Sequence, residues 1–277
     1  MKLVEPVLTV ELFPPLSREL LSVLRSLSRS EWDRPTACAQ WSVKDVAAHL
    51  LGGNLGRLRG GEREPSSPET PTPTYAELVN LIDQENAEWV SAARRISPAL
   101  LIEFLEITDE QLYQHFRSLP AEAQARIPVS WAGEGQSPVW FDVAREYTEK
   151  WLHQQHIREA VGQPLLTGQR WLFPVFDTFM RALPRTYSAV TALEGVRLTF
   201  HIEGEAGGDW TLVRQSGAWR LFSGASTKAA ARVSLSQDWA WRLFTKGMEP
   251  EAARPHLQVE GDTALGPVVL NMVSIMG

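Results

Sequence analysis

The sequence predicts an all-helical first part, residues 1–187, followed by a smaller α+β second part, residues 188–277. Three observations carry this. Apolar residues recur every three or four positions, segment after segment, as far as about residue 187. From Val196 the period drops to two: Val196, Leu198, Phe200 and Ile202 alternate with Arg197, Thr199, His201 and Glu203, the pattern of a half-buried strand. Short strand-like runs then follow, separated by glycine-containing turns.

The first helix is expected over residues 14–29, where Leu16, Leu20, Leu21, Val23, Leu24 and Leu27 form one apolar face. Ser42, with Asp45 three residues later, resembles a capping box and opens a helix running through His49 toward Leu58, with Gly60-Gly61 as its stop. Residues 61–74, with Pro65, Pro68, Pro71 and Pro73 among polar residues, read as a loop. The helical period resumes from Tyr75 to Ile96 and again over 98–119. Val129 to Ser137 is a glycine-rich connection, after which Pro138 suits the beginning of a helix over 139–161 that Gly162-Gln163-Pro164 ends. One more helix is expected over 170–187. Beyond the first strand, further strands are expected at Trp210 to Arg214, Trp219 to Phe222, Arg232 to Leu235 and Leu257 to Val259, with helices at Gln237 to Thr245 and Thr263 to Val273.

Composition narrows the function. A formal charge of -6 and a pI near 5.6 argue against a nucleic-acid groove, which needs clustered excess Lys and Arg. No apolar run approaches the ~20 residues that cross a bilayer. The first residues, with Glu5 and Pro6, lack the unbroken apolar stretch of a signal peptide, so a cytoplasmic location is expected. Cys38, the single cysteine, fits a reducing compartment and reads as a small packed residue.

The chemistry-bearing residues lie in two helical segments about a hundred residues apart. Glu149 and His153 project from one helix face at successive turns, about 6 Å apart along the axis. Such a pair is commonly just a surface contact. Here, however, His153 is flanked by Trp151, Leu152 and Ile157, and His49 by Val46, Ala47, Leu50 and Leu51, and a buried imidazole needs a partner. Brought together, His49, Glu149 and His153 form a two-imidazole, one-carboxylate set that leaves metal coordination positions open. His156 is either a ligand in place of Glu149 or an outer group orienting the ligands. Asp45, one turn before His49, is either such an outer carboxylate or simply the helix cap. Arg57, Arg59 and Arg145 are candidates for receiving a substrate carboxylate.

The stretch from Thr36 to Leu50 resembles the T-x-C-x-x-W-[ST]-V-x-D-x-x-x-H-L opening of the DinB-like superfamily, in the branch typified by mycothiol-dependent maleylpyruvate isomerase. Val129 to Gly133, then Glu149-x-x-x-His153, then Arg158-x-Ala160-x-Gly162, resemble its second half in the same order. The resemblance implies a four-helix bundle over roughly residues 10–187, holding a divalent metal, usually zinc but also nickel, manganese or iron, on His49, Glu149 and His153. Where the family commonly has Asp three residues after the last ligand, this chain has His156. Val259 to Leu265 resembles a sterol-carrier-type α+β domain. The function implied is that of a thiol-dependent isomerase or S-transferase, using a low-molecular-weight thiol such as mycothiol or bacillithiol against a small electrophile, as a monomer or homodimer. Two other classes compete: a non-catalytic, metal-stabilised module holding an apolar ligand in the C-terminal domain, and a metal-assisted hydrolase.

Overall fold

Pro14 and Pro15 sit in the first turn of helix α1 (Phe13–Ser26), where a missing N–H costs nothing, and Leu16, Leu20, Leu21 and Leu24 follow as its buried face. The structure, a computed structural model, describes residues 1–59, 75–133 and 135–275. The predicted stop at Gly60-Gly61 and the predicted loop over 61–74 lie outside the described residues. By compactness the chain divides into two units.

The helical unit comprises Thr9–Ala123 and Glu146–Leu166. It holds α1, α2 (Val43–Leu58), α3 (Tyr75–Ala93), α4 (Pro98–Ser118) and most of α5 (Val139–Val161). Leu20 and Leu24 of α1, Val46 and Leu50 of α2, Leu101 and Leu105 of α4, and Ile157 and Val161 of α5 share one core. Each fully buried leucine there contributes about 1.5–3 kcal/mol of apolar burial. Helix α3 joins through the half-buried Trp89, whose Nε1–H donates to the Ala48 carbonyl at 2.7 Å. That approach depends on Gly52, because a Cβ there would lie 2.5 Å from the Trp89 ring.

A polar network crosses the same interior. Lys150 donates to Asn54 Oδ1 at 2.5 Å and to Asp109 Oδ1 at 3.0 Å, Asn54 donates to Asp109 Oδ1 at 2.8 Å, and Ser17 donates to Asp109 Oδ2 at 2.6 Å. It ties α1, α2 and α4 to α5 one residue beyond Glu149, and thereby fixes the rotation of the helix that carries the site.

The second unit comprises Met1–Leu8, Gln124–Arg145 and Thr167–Ile275. Its six-stranded mixed sheet has the order β1-β4-β3-β2-β5-β6, with β1 (Lys2–Leu3), β2 (Arg197–Glu203), β3 (Gly208–Gln215), β4 (Ala218–Ser223), β5 (Ala231–Ser236) and β6 (Gln258–Gly261). Only the β2–β5 pair is parallel. The β3–β4 hairpin turns on Ser216 and Gly217, both at positive φ as a two-residue primed turn requires, and Glu194 accepts both of their N–H groups. Helices α6 (Gln169–Phe179), α7 (Leu183–Thr186), α8 (Gln237–Phe244) and α9 (Pro250–Ala253) complete the unit.

Two expectations change. The C-terminal helix expected from Thr263 to Val273 is only a 3-10 segment, Gly266–Asn271, with Pro267 at its start. The expected half-buried β2 has both faces covered at its centre, since Thr199 is as buried as Phe200 and its hydroxyl pairs with that of Thr211 at 3.1 Å. By compactness, residues 167–187 and 124–145 cluster with the sheet rather than with the first helices. The period change marks where helix gives way to strand, which is a different boundary. Among the described residues, no helix is long and apolar enough to cross a membrane.

Candidate functional site

All the residues of the candidate site belong to the helical unit. Its first element is the turn before α2. Thr36 Oγ1 donates to the Trp41 carbonyl at 2.8 Å and accepts the Cys38 N–H at 3.2 Å, while Trp41 N–H donates to the Cys38 carbonyl at 2.8 Å. A bridge between Pro35 and Ser42 closes the turn. Ser42 then caps α2: its hydroxyl accepts the Asp45 N–H, and its own N–H donates to the Asp45 carboxylate, the reciprocal capping box the sequence foretold. Cys38, Trp41 and His49 are therefore placed by one short, heavily hydrogen-bonded segment.

Helix α5 supplies the opposite wall. The rings of His49 and His153 stand 4.6 Å apart, edge to face, and Trp41 packs 4.9 Å from His49. His153 Nε2 lies 3.7 Å from Glu149 Oε2, one turn back on the same helix. His156, one turn on, puts its Nδ1 3.2 Å from Cys38 Sγ, and His153 Nδ1 lies 3.9 Å from the same sulfur. A cavity of about 340 Å³ opens beside these groups, lined by Cys38, Gln40, Trp41, Asp83 and Asn86 among others.

Burial governs the electrostatics. It pushes the Glu149 carboxyl up to about 8, with the Glu146 charge adding and Arg57 opposing. Burial lowers His49 to about 4, against the pull of Glu146 and a hydrogen bond with Asn86. His156 is lowered to about 4 by burial, and His153 is held well below its ordinary range by burial and by His49, His156 and Lys150. The Cys38 thiol is raised by burial, against the hydrogen bond from Thr36 and with Glu149 adding. The three imidazoles are thus neutral at pH 7, the form in which they bind metals. Within this site, the buried His49 Nδ1 makes no hydrogen bond to the described residues. Imidazole nitrogens and a carboxylate are donor types that a divalent ion takes, and His49 Nδ1 is left without another use in the structure.

Of the residues singled out in the sequence, His49, Glu149 and His153 meet pairwise at His153, and His156 faces Cys38. Asp45 serves as cap and ion-pair partner, accepting from Ser42 N–H and from Arg94 Nε and Nη2 at 3.0 and 3.1 Å. Arg57 pairs with Glu146 and Arg145 with Asp142, while Arg59 is exposed. The sequence reading took Cys38 as a small packed residue and passed over Glu146 and Asn86. Cys38 carried a signal in its place three residues before the Trp41-Ser42 opening of α2; the other two carried none.

Helices α2 and α5 thus bring imidazoles and a carboxylate together in the helical unit, near a cavity lined by Cys38 and Trp41. The chain belongs to the family described as the mycothiol maleylpyruvate isomerase N-terminal domain, whose family model matches residues 13–158. Two solved structures of the mycothiol-dependent maleylpyruvate isomerase, one of them a point mutant, are 15% identical to this chain, with 87% of this chain and 91% of each of those covered and a TM-score of 0.48. The sterol carrier protein domain 2 of Helicoverpa armigera is also 15% identical, over 32% of this chain and 77% of that one, with a TM-score of 0.26. No curated protein matches the chain.

Proposed function

We propose that this protein is a metal-dependent enzyme of the thiol-dependent isomerase or S-transferase type, with His49, Glu149 and His153 as its metal-holding residues. The observation that carries the reading is the meeting of His49, with its unpartnered Nδ1, and the Glu149–His153 pair in a chain of this family. A divalent ion bound there, zinc being the usual one for such donors, supplies positive charge that lowers the pKa of a thiol or polarises a carbonyl.

The chain's own residues do the rest. His49 and His153 would hold the ion through neutral nitrogens, and Glu149 would have to give up its proton to hold it as a carboxylate. Trp41 and Asn86 shape the cavity in which a thiol-bearing cofactor, mycothiol or bacillithiol, meets a small electrophile. A thiolate adding to a conjugated double bond forms a carbon–sulfur bond and shifts the π pair toward the neighbouring carbonyl. Rotation and return of that pair expels the thiolate and yields the cis-trans isomer, whereas protonation of the carbon gives net transfer. The same proposal takes residues 1–187 as a four-helix-bundle domain and 188–277 as a sterol-carrier-like domain, in a cytoplasmic monomer or homodimer.

The test is elemental analysis of purified protein beside His49→Ala and Glu149→Ala, followed by assay with both thiols. One equivalent of a divalent ion in the parent, lost in both variants, and thiol-dependent turnover of an unsaturated keto acid are expected. A protein that neither carries a metal nor takes up zinc or nickel overturns the proposal.

A further inference from the structure

His153 faces two donor groups with its two nitrogens. Its Nε2 is 3.7 Å from Glu149, whereas its Nδ1 is 3.9 Å from Cys38 Sγ, and the other neighbour of that sulfur is His156 Nδ1 at 3.2 Å. Ligand atoms of Cys38, His153 and His156 all lie within 4.8 Å of one another, and among the described residues they form the one group of three His, Cys, Asp or Glu donors that is this close. Zinc–sulfur bonds near 2.3 Å and zinc–nitrogen bonds near 2.0–2.1 Å at a tetrahedral angle place sulfur and nitrogen about 3.5 Å apart. The two sulfur–nitrogen separations, 3.2 and 3.9 Å, bracket that distance.

We propose that Cys38, His153 and His156 are a thiolate and two-imidazole ligand set for a thiophilic divalent ion such as zinc, His153 binding through Nδ1 here and through Nε2 when the ion sits with His49 and Glu149. This deepens the reading of the pocket as a metal centre and rests on it. Three protein ligands leave a fourth position open, as catalytic zinc sites do, and the thiolate leaves the bound ion with a net charge of +1. The set is prebuilt. The hydrogen bonds of Thr36 and Trp41 hold the Cys38 backbone, and His156 is carried on the same rigid helix as His153. A sulfur donor also selects softer ions than the His49, Glu149 and His153 set alone would. The Cys38 proton leaves to solvent as the ion binds.

A bare thiol–imidazole hydrogen bond would share the 3.2 Å contact, and cobalt distinguishes the two. Full-length, metal-stripped protein is titrated with Co²⁺ in a thiol-free reductant while absorption is recorded. A near-ultraviolet sulfur-to-cobalt charge-transfer band is expected beside tetrahedral visible bands, and it can come only from Cys38, the single cysteine. Cys38→Ser should abolish that band and weaken Co²⁺ binding roughly tenfold or more, and His156→Asn should weaken binding similarly, whereas His49→Ala, though purified without its metal, should still develop the band at saturating Co²⁺. Zinc should also slow alkylation of Cys38 in the parent, a readout that survives misfolding of any variant. Visible bands that depend on His49 and Glu149, with no charge-transfer band and no protection of Cys38, overturn the inference and leave the proposed function standing. Failure to bind Co²⁺ or Zn²⁺ at all overturns both.

Discussion

Arg57 donates its Nε–H to Glu146 Oε2 at 3.0 Å, with only 12% and 11% of the two side chains exposed. The pair joins α2 to α5 one turn before Glu149, and its two charges act on Glu149 with opposite sign. Arg57→Ala removes the guanidinium that pairs with this largely buried carboxylate and is expected to cost about 3 kcal/mol in chemical denaturation. In a double-mutant cycle with Glu146→Gln the two effects should fall well short of additive. Additive costs would show that the pair is uncoupled.

Lys150, Asp109 and Asn54 form the other polar tie, with the Lys150 and Asp109 side chains 11% and 8% exposed. Asp109→Ala removes the acceptor shared by Lys150, Asn54 and Ser17, and should cost about 3–5 kcal/mol. Lys150→Met keeps the apolar stem and removes the charge, so its cost should be smaller. Equal urea midpoints for the two variants would count against a charged network here.

Much of this was legible in the sequence, and what was not has a physical reason. The α2 start could be read because a capping box is local, fixed by Ser42 and Asp45 three residues apart. The strands near Trp210, Trp219 and Val233 could be read because pleating imposes a period of two. Strand β1 could not, since two residues carry no period and its pairing with β4 is set by tertiary contact alone. The C-terminal helix was over-read from composition, with Pro267 unheeded. The contact of His153 with Glu149 could be read because it follows from helical spacing. Cys38 lies 115 and 118 residues from the two imidazoles it meets, and no spacing rule spans such a distance.

Asp45 supplies a pH dependence. Burial works to raise its carboxyl, but the hydrogen bonds and charge of Arg94 and the bond from Ser42 outweigh it and hold the group below its ordinary 3.8. A carboxyl lowered by folding contributes stability that is present above its unfolded value and is lost as pH falls through the lowered folded one. The parent should therefore lose stability below about pH 4. Asp45→Asn should be less stable at pH 6 and should lose less between pH 6 and pH 3, measured by denaturant midpoints. Parallel profiles for the two proteins would refute the assignment. Ser42→Ala, which removes the cap hydroxyl, should cost about 1 kcal/mol at either pH.

Gly52 and Gly56, one turn apart on α2, should respond in opposite directions to the same change. Alanine is favoured over glycine in a helix interior by about 1 kcal/mol, so propensity alone would make both substitutions stabilising. At Gly56 nothing lies within 4 Å of the added Cβ, and Gly56→Ala should raise stability by up to about 1 kcal/mol. At Gly52 the Cβ would meet the Trp89 ring at 2.5 Å, and the indole cannot withdraw without loosening its hydrogen bond to Ala48. Overpacking of this kind costs about 1–3 kcal/mol and outweighs the propensity gain. Gly52→Ala should therefore lower the melting temperature while Gly56→Ala raises it, and α3, which carries Asp83 and Asn86 of the cavity lining, should be the element displaced. A red-shifted, more solvent-exposed tryptophan fluorescence in Gly52→Ala that is lost in Gly52→Ala/Trp89→Phe would trace the effect to that contact. A Gly52→Ala variant as stable as the parent would mean that α3 sits farther from α2 than the Trp89–Ala48 hydrogen bond requires.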